Sequence, residues 1–143
     1  MITFSISEGQ IRRLIGQVAE VERGLILEVG NAVQKALIDT DRNAKRTVPV
    51  DTGALRASIN MASTPNRLGG MVWTEKPYGP FIEFGTGALV SVPSGREEFA
   101  GQFKGKGVRK VNRKPRPFLF PAFDKARVVL LNELHNIFRR AGK

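Results

Sequence analysis

Val48-Pro49-Val50-Asp51-Thr52-Gly53-Ala54-Leu55-Arg56-Ala57-Ser58 decides how the rest of the chain divides. Pro49 disfavours helical backbone angles at Val48, so a helix arriving from the N-terminal side must stop there. Asp51 then stands where a capping carboxylate opens a short helix or turn. Gly53 lets backbone approach closely, and Arg56 supplies a forked donor for a carboxylate. The stretch reads as a structural corner.

On the N-terminal side, apolar residues recur at Ile11, Leu14, Ile15, Val18, Val21, Leu25, Val29, Val33 and Leu37. Their three-and-four spacing describes one buried stripe of a helical region, with most charges off it. Gly16, Gly24 and Gly30 interrupt it, each costing about 1 kcal/mol relative to alanine. They imply a break near Gly24 or a closely packed neighbour, hence one long helix or two successive ones. Ahead of this region Ser7 and Gln10 are spaced as a capping box, and residues 2–6 alternate as a short strand does. That alternation lacks the basic start and long apolar run of a secretory signal.

On the C-terminal side, Ile59, Met61 and Ser63, a Pro65-Asn66-Arg67-Leu68-Gly69-Gly70 turn and Met71-Val72-Trp73-Thr74 predict an antiparallel hairpin. Pro77 and Pro80 bracket Tyr78, and Phe81-Ile82-Glu83-Phe84-Gly85-Thr86-Gly87 reads as a short strand or a helical turn ending at glycines. Periodicity vanishes over residues 90–116, where eight basic residues face only Glu97 and Glu98. Loops beyond about 15 residues are usually functional or mobile. Order returns at Arg116-Pro117-Phe118-Leu119-Phe120-Pro121-Ala122-Phe123. Pro121 suits the first turn of a final helix with Phe123, Ala126, Leu130, Leu134, Ile137 and Phe138 on one face. Phe120 and Phe123 are expected in the core and Phe118 at an interface, each phenylalanine contributing about 1.5–3 kcal/mol where buried. The expected architecture is α+β: a long N-terminal helical region and a C-terminal helix packed on a small, mainly antiparallel sheet, with a long basic loop.

The 143 residues suffice for one domain, taken as 1–143, and not for two well-filled cores. With no cysteine and one histidine, thiolate chemistry, cysteine-containing zinc sites and a histidine triad are excluded or disfavoured. His135 reads as a surface residue of the last helix, and Glu97-Glu98 as solvated charge with no apolar enclosure to raise a pKa. No catalytic residue, metal or cofactor is implied. No stretch approaches the roughly 20 apolar residues of a membrane span.

The formal charge of +10 favours an anionic partner. Gly101-Gln102-Phe103-Lys104-Gly105-Lys106-Gly107 lacks the Ser or Thr and the strand-to-helix setting of a phosphate loop. Lys104, Lys106, Arg109, Lys110, Arg113, Lys114 and Arg116 are candidates to contact a nucleic-acid backbone, an acidic protein surface or a neighbouring copy.

The Val-Pro-Val-Asp-Thr-Gly-x-Leu-Arg-x-Ser motif, Tyr78 with Glu83-Phe84-Gly85-Thr86, and Pro117-Phe118-x-x-Pro121-Ala122-Phe123 occur in that order between two helical regions. Together they resemble the head-to-tail joining and tail-completion family of long-tailed bacteriophages, the family of tail terminators and minor tail components. The resemblance covers nearly the whole chain but carries no role for the basic insert.

It implies a non-enzymatic virion protein assembled in the host cytoplasm, a homo-oligomer forming a ring, most often of six copies. Such a ring at the neck caps the tail tube protein and faces the head-tail connector or stopper protein. It further implies that Asp51, Thr52, Gly53, Leu55 and Arg56 shape a corner near the subunit boundary, while Glu83, Phe84, Gly85 and Thr86 position an adjacent element. Six copies at +10 each would bring +60 into one ring, to be offset by acidic neighbours, counterions or DNA in the lumen. The basic loop is expected to order on contact with the next ring. The rival expectation is a stand-alone nucleic-acid-binding module that uses this loop with Arg139, Arg140 and Lys143. An enzyme acting on phage or cell-wall polymers is disfavoured for want of an acid and base pair in a pocket.

Overall fold

The computed structural model describes residues 3–6, 9, 23–98 and 112–142. The stripe residues Ile11 to Val21, the capping box at Ser7 and Gln10, and Gly16 lie outside the described residues. The first long helix, α1, spans Arg23–Thr47 and buries Val29, Val33, Ala36, Leu37, Thr40 and Ala44, the continuation of the expected stripe. The hydroxyl of Thr40 is satisfied by donating to the Ala36 carbonyl at 2.8 Å, so its burial leaves no orphaned donor. Lys45 and Arg46 occupy the last turn, where positive charge favours the exposed carbonyls, and the helix ends ahead of Pro49.

At the corner, a single turn of helix, α2, spans Ala54–Ala57. Its cap departs from expectation. Gly53 takes the N-cap position at φ +80°, and the Ala54 N–H finds the Thr52 hydroxyl at 3.4 Å. Asp51, expected as the capping carboxylate, is exposed, because the left-handed Gly53 moves the start of the turn past the reach of its side chain. The turn hands over to a three-stranded antiparallel sheet of β1 (Thr3–Ile6), β2 (Ile59–Ser63) and β3 (Gly70–Thr74), ordered β1-β3-β2. Ile59 pairs with Thr74 and Met61 with Val72, while Phe4 pairs with Val72 from the other edge. Ser58 joins corner and sheet: its hydroxyl lies 2.7 Å from that of Thr74, with both side chains buried.

The hairpin packs on α1 through glycines. Gly30 lies under Arg67, whose Cβ would sit 3.6 Å from an added methyl, and Gln34 donates to the Arg67 carbonyl at 3.2 Å. Gly70 lies beneath Leu37, and any Cβ there would come within 2.6 Å of the Ala62 carbonyl. Close packing, rather than a break, therefore explains Gly30. Gly24 has no neighbour within 4 Å of such a methyl and sits within the first turn described for α1.

A six-residue helix, α3 (Gly79–Phe84), follows the sheet and a 3₁₀ turn (Gly87–Leu89) follows it. The chain ends in α4 (Leu119–Ala141), which buries Ala126, Leu130, Leu134 and Ile137 and packs Phe123 and Phe138 half-buried beside them. Two ion pairs bridge the long helices, Glu28 to Arg140 at 3.1 Å and Lys35 to Glu133 at 3.6 Å. Seven positions separate the pairs on each helix in opposite senses, so α1 and α4 run antiparallel. The pairs are exposed and contribute under about 1 kcal/mol each; the apolar seam beneath them holds the helices together. Among the described residues no helix is long and apolar enough to cross a membrane.

Candidate functional site

The start of α4 has no capping side chain of its own, since Phe118 occupies the N-cap position without a side-chain bond. First-turn N–H groups without a partner would be costly in a buried setting. Glu83, on the last turn of α3, supplies the acceptor. Its Oε2 accepts the N–H groups of Phe118 at 2.8 Å and Leu119 at 3.0 Å, and its Oε1 accepts that of Phe120 at 3.0 Å. The residue is 1% exposed. Burial pushes the carboxyl above its ordinary value of 4.5, against the three N–H donors and the Arg96 charge, which pull it down.

Around this bond both ends of the basic segment are fastened to the core. The Arg96 guanidinium lies 3.9 Å above the centre of the Phe120 ring and pairs with Asp124. Phe84 packs against Phe120 with ring centres 5.6 Å apart. On the return, Thr86 binds Arg113 twice: its N–H donates to the Arg113 carbonyl at 3.0 Å and its hydroxyl accepts the Arg113 N–H at 2.9 Å. The Arg116 N–H donates to the Ile82 carbonyl at 2.7 Å. Residues 112–118 thus lie as an arm along the end of α3. Gly85 makes this possible. It sits at φ +80°, and a Cβ there would lie 2.7 Å from the Arg113 carbonyl oxygen.

Corner and arm face each other across a cleft of about 630 Å³, lined by residues 49–55, by Tyr78 and Ile82, and by Asn112, Arg113, Lys114 and Arg116. Val50 is 60% exposed and Tyr78 41%. Asp51 is the acidic side chain among the lining residues, set against three cations. Among the described residues no group of three metal-ligating side chains converges. The cleft offers binding chemistry: fixed positive charge beside exposed apolar surface.

The structure brings together much of what the sequence singled out, though not always at the surface. Asp51, Thr52 and Arg56 are exposed at the corner, Gly53 and Thr86 are half-buried, and Leu55 is interior. Glu83, Phe84 and Gly85 are also interior and hold the arm and α4 in place. Phe118, expected as an interface anchor, is 0% exposed. Its backbone is strapped down by Glu83 and by the neighbouring bond of Arg116 to Ile82, which draws this residue into the core. Arg113, Lys114 and Arg116 stand exposed on the arm, whereas Lys104, Lys106, Arg109 and Lys110 lie outside the described residues. His135, Glu97 and Glu98 are exposed. The capping role of Glu83 escaped the sequence reading; its signal is a lone carboxylate inside the apolar run Phe81-Ile82-Glu83-Phe84. Val50 and Tyr78, as exposed cleft residues, had no such signal.

A family model described as "Bacteriophage HK97-gp10, putative tail-component" matches residues 12–85, just over half of the 143 residues. The matched span takes in α1, the corner, the hairpin and α3, and ends at Gly85. No curated protein and no solved structure matches the chain.

Proposed function

Because the chain belongs to the HK97-gp10-like family of bacteriophage tail components, we propose that it is a non-enzymatic virion protein that completes the tail at the neck. In this reading residues 1–143 form one domain, copies join into a ring, and the ring seats between the tail tube and the head connector or stopper protein. Assembly takes place in the host cytoplasm and the finished ring stays in the virion.

The observation that carries the reading is the exposed, rigidly held corner. A ring repeats one contact between two different surfaces of each copy, and a surface already held in shape loses less order when that contact forms. The corner supports the reading: Asp51, Thr52 and Arg56 are exposed on a turn whose buried Leu55 and Ser58 tie it to the core. Opposite it, the arm is held by backbone bonds to Thr86 and Ile82. The charge of +10 per copy supports a setting in which acidic neighbours or packaged DNA offset repulsion within the ring.

Deleting the gene from a phage that encodes this chain tests the proposal. Electron microscopy of the lysate should find heads and tails that fail to join, with infectivity restored when the chain is supplied from a plasmid. Normal, infectious particles from the deletion would overturn it.

A further inference from the structure

The cleft beside the corner combines a cavity, exposed apolar surface and an excess of one charge, and these features specify an occupant more closely than membership of a tail does. We propose that it is the docking groove for an extended acidic segment of another virion protein, in which carboxylates alternate with aliphatic or aromatic side chains. The word virion rests on the tail-component reading above; the chemistry comes from the cleft itself.

Charge selects an acidic partner. Arg113, Lys114 and Arg116 lie within four consecutive positions on one wall, all exposed, and Asp51 is the acid set against them. Arginine forks match carboxylates bidentately, so this wall suits two or three acidic side chains at peptide spacing. Rigidity favours docking. The arm backbone is bonded to Thr86 and Ile82, so the cations extend from a fixed frame and less ordering is lost when a partner docks. In the rest of the lining, Val50 and Tyr78 offer exposed apolar surface beside Ile82. The cleft, about 630 Å³, has room for several side chains of such a segment.

These features together favour a peptide over a nucleic acid. A phosphodiester strand carries a charge at every unit and would place some of it against Asp51, leaving Val50 without an apolar counterpart. An acidic peptide with interspersed apolar side chains can satisfy both walls.

Fluorescence anisotropy with the purified full chain provides the test. Three labelled probes are used: an eight-residue peptide alternating Glu with Leu or Phe, a peptide with the same carboxylates and Ser in place of the apolar residues, and a single-stranded DNA dodecamer. The alternating peptide should bind most tightly, and R113Q/R116Q should weaken it about tenfold or more. Tyr78→Ala should weaken the alternating peptide and leave the Ser peptide unchanged. All these positions are exposed, so unchanged thermal melting confirms that the variants fold. The proposal is overturned if the alternating peptide does not bind, if the double variant binds it as well as the parent chain does, if the Ser peptide binds equally tightly, or if the DNA binds more tightly and loses affinity in the same variants. The gene deletion bears on the tail reading alone, so either idea can fail while the other stands.

Discussion

Oε2 of Glu83 accepts the backbone N–H of Phe118 at 2.8 Å, which joins the end of α3 to the start of α4 across the basic insert. The same carboxylate takes the next two N–H groups, so one side chain orients both the arm and the last helix. The cleft between corner and arm keeps its shape through this tie.

Replacing Glu83 by alanine should therefore be among the most damaging single changes in the chain. It would leave three N–H groups at the start of α4 without their acceptor and open a hole in the core, a loss of about 3–5 kcal/mol. Glu83→Gln keeps the shape and one carbonyl acceptor but turns an amide donor toward N–H groups, so about 1–3 kcal/mol is expected. Urea denaturation followed by circular dichroism measures both, and equal stability of E83A and the parent chain would contradict the capping role.

The same residue sets a pH dependence. Burial raises its carboxyl above 4.5, so just above that value the folded chain keeps a proton that the unfolded chain has released. The contribution of Glu83 to stability is therefore fullest below the unfolded value and declines as pH climbs through the folded one. E83Q has no such proton. The stability difference between parent and E83Q should shrink with rising pH over this window and then level off. A difference that widens with rising pH would mean that the N–H donors outweigh burial.

Two glycines at φ +80° offer an internal control. Gly53→Ala meets nothing within 4 Å and should cost only the backbone strain, about 1–2 kcal/mol. Gly85→Ala adds a clash with the Arg113 carbonyl and with Leu89 and Pro115, and should cost clearly more. Hydrogen exchange at Arg113 should accelerate in G85A and stay unchanged in G53A.

Phe118→Ala separates an interior role from an interface role. With the side chain fully buried, the isolated chain should lose about 3–5 kcal/mol. If its melting were unchanged and only joining of tails to heads suffered, the side chain would belong to a contact between subunits instead.

The sequence by itself determined the α+β architecture, because helical periodicity, turn chemistry and strand-forming residue types are local properties. The spacing of Val29, Val33 and Leu37 marks α1, the β-branched and aromatic character of Met71-Val72-Trp73-Thr74 after a Gly-rich turn marks the hairpin, and Ala126, Leu130 and Leu134 mark α4. Pro49 likewise placed the end of α1 without reference to anything distant. Only the tertiary structure decided what the motifs do. Asp51 lost the capping role to Thr52 and Gly53 through one backbone angle, and Phe118 went inward because Glu83, thirty-five residues earlier, holds its N–H. Partners of buried polar groups are chosen by what folding brings within about 3 Å, and no pattern along the chain records that distance.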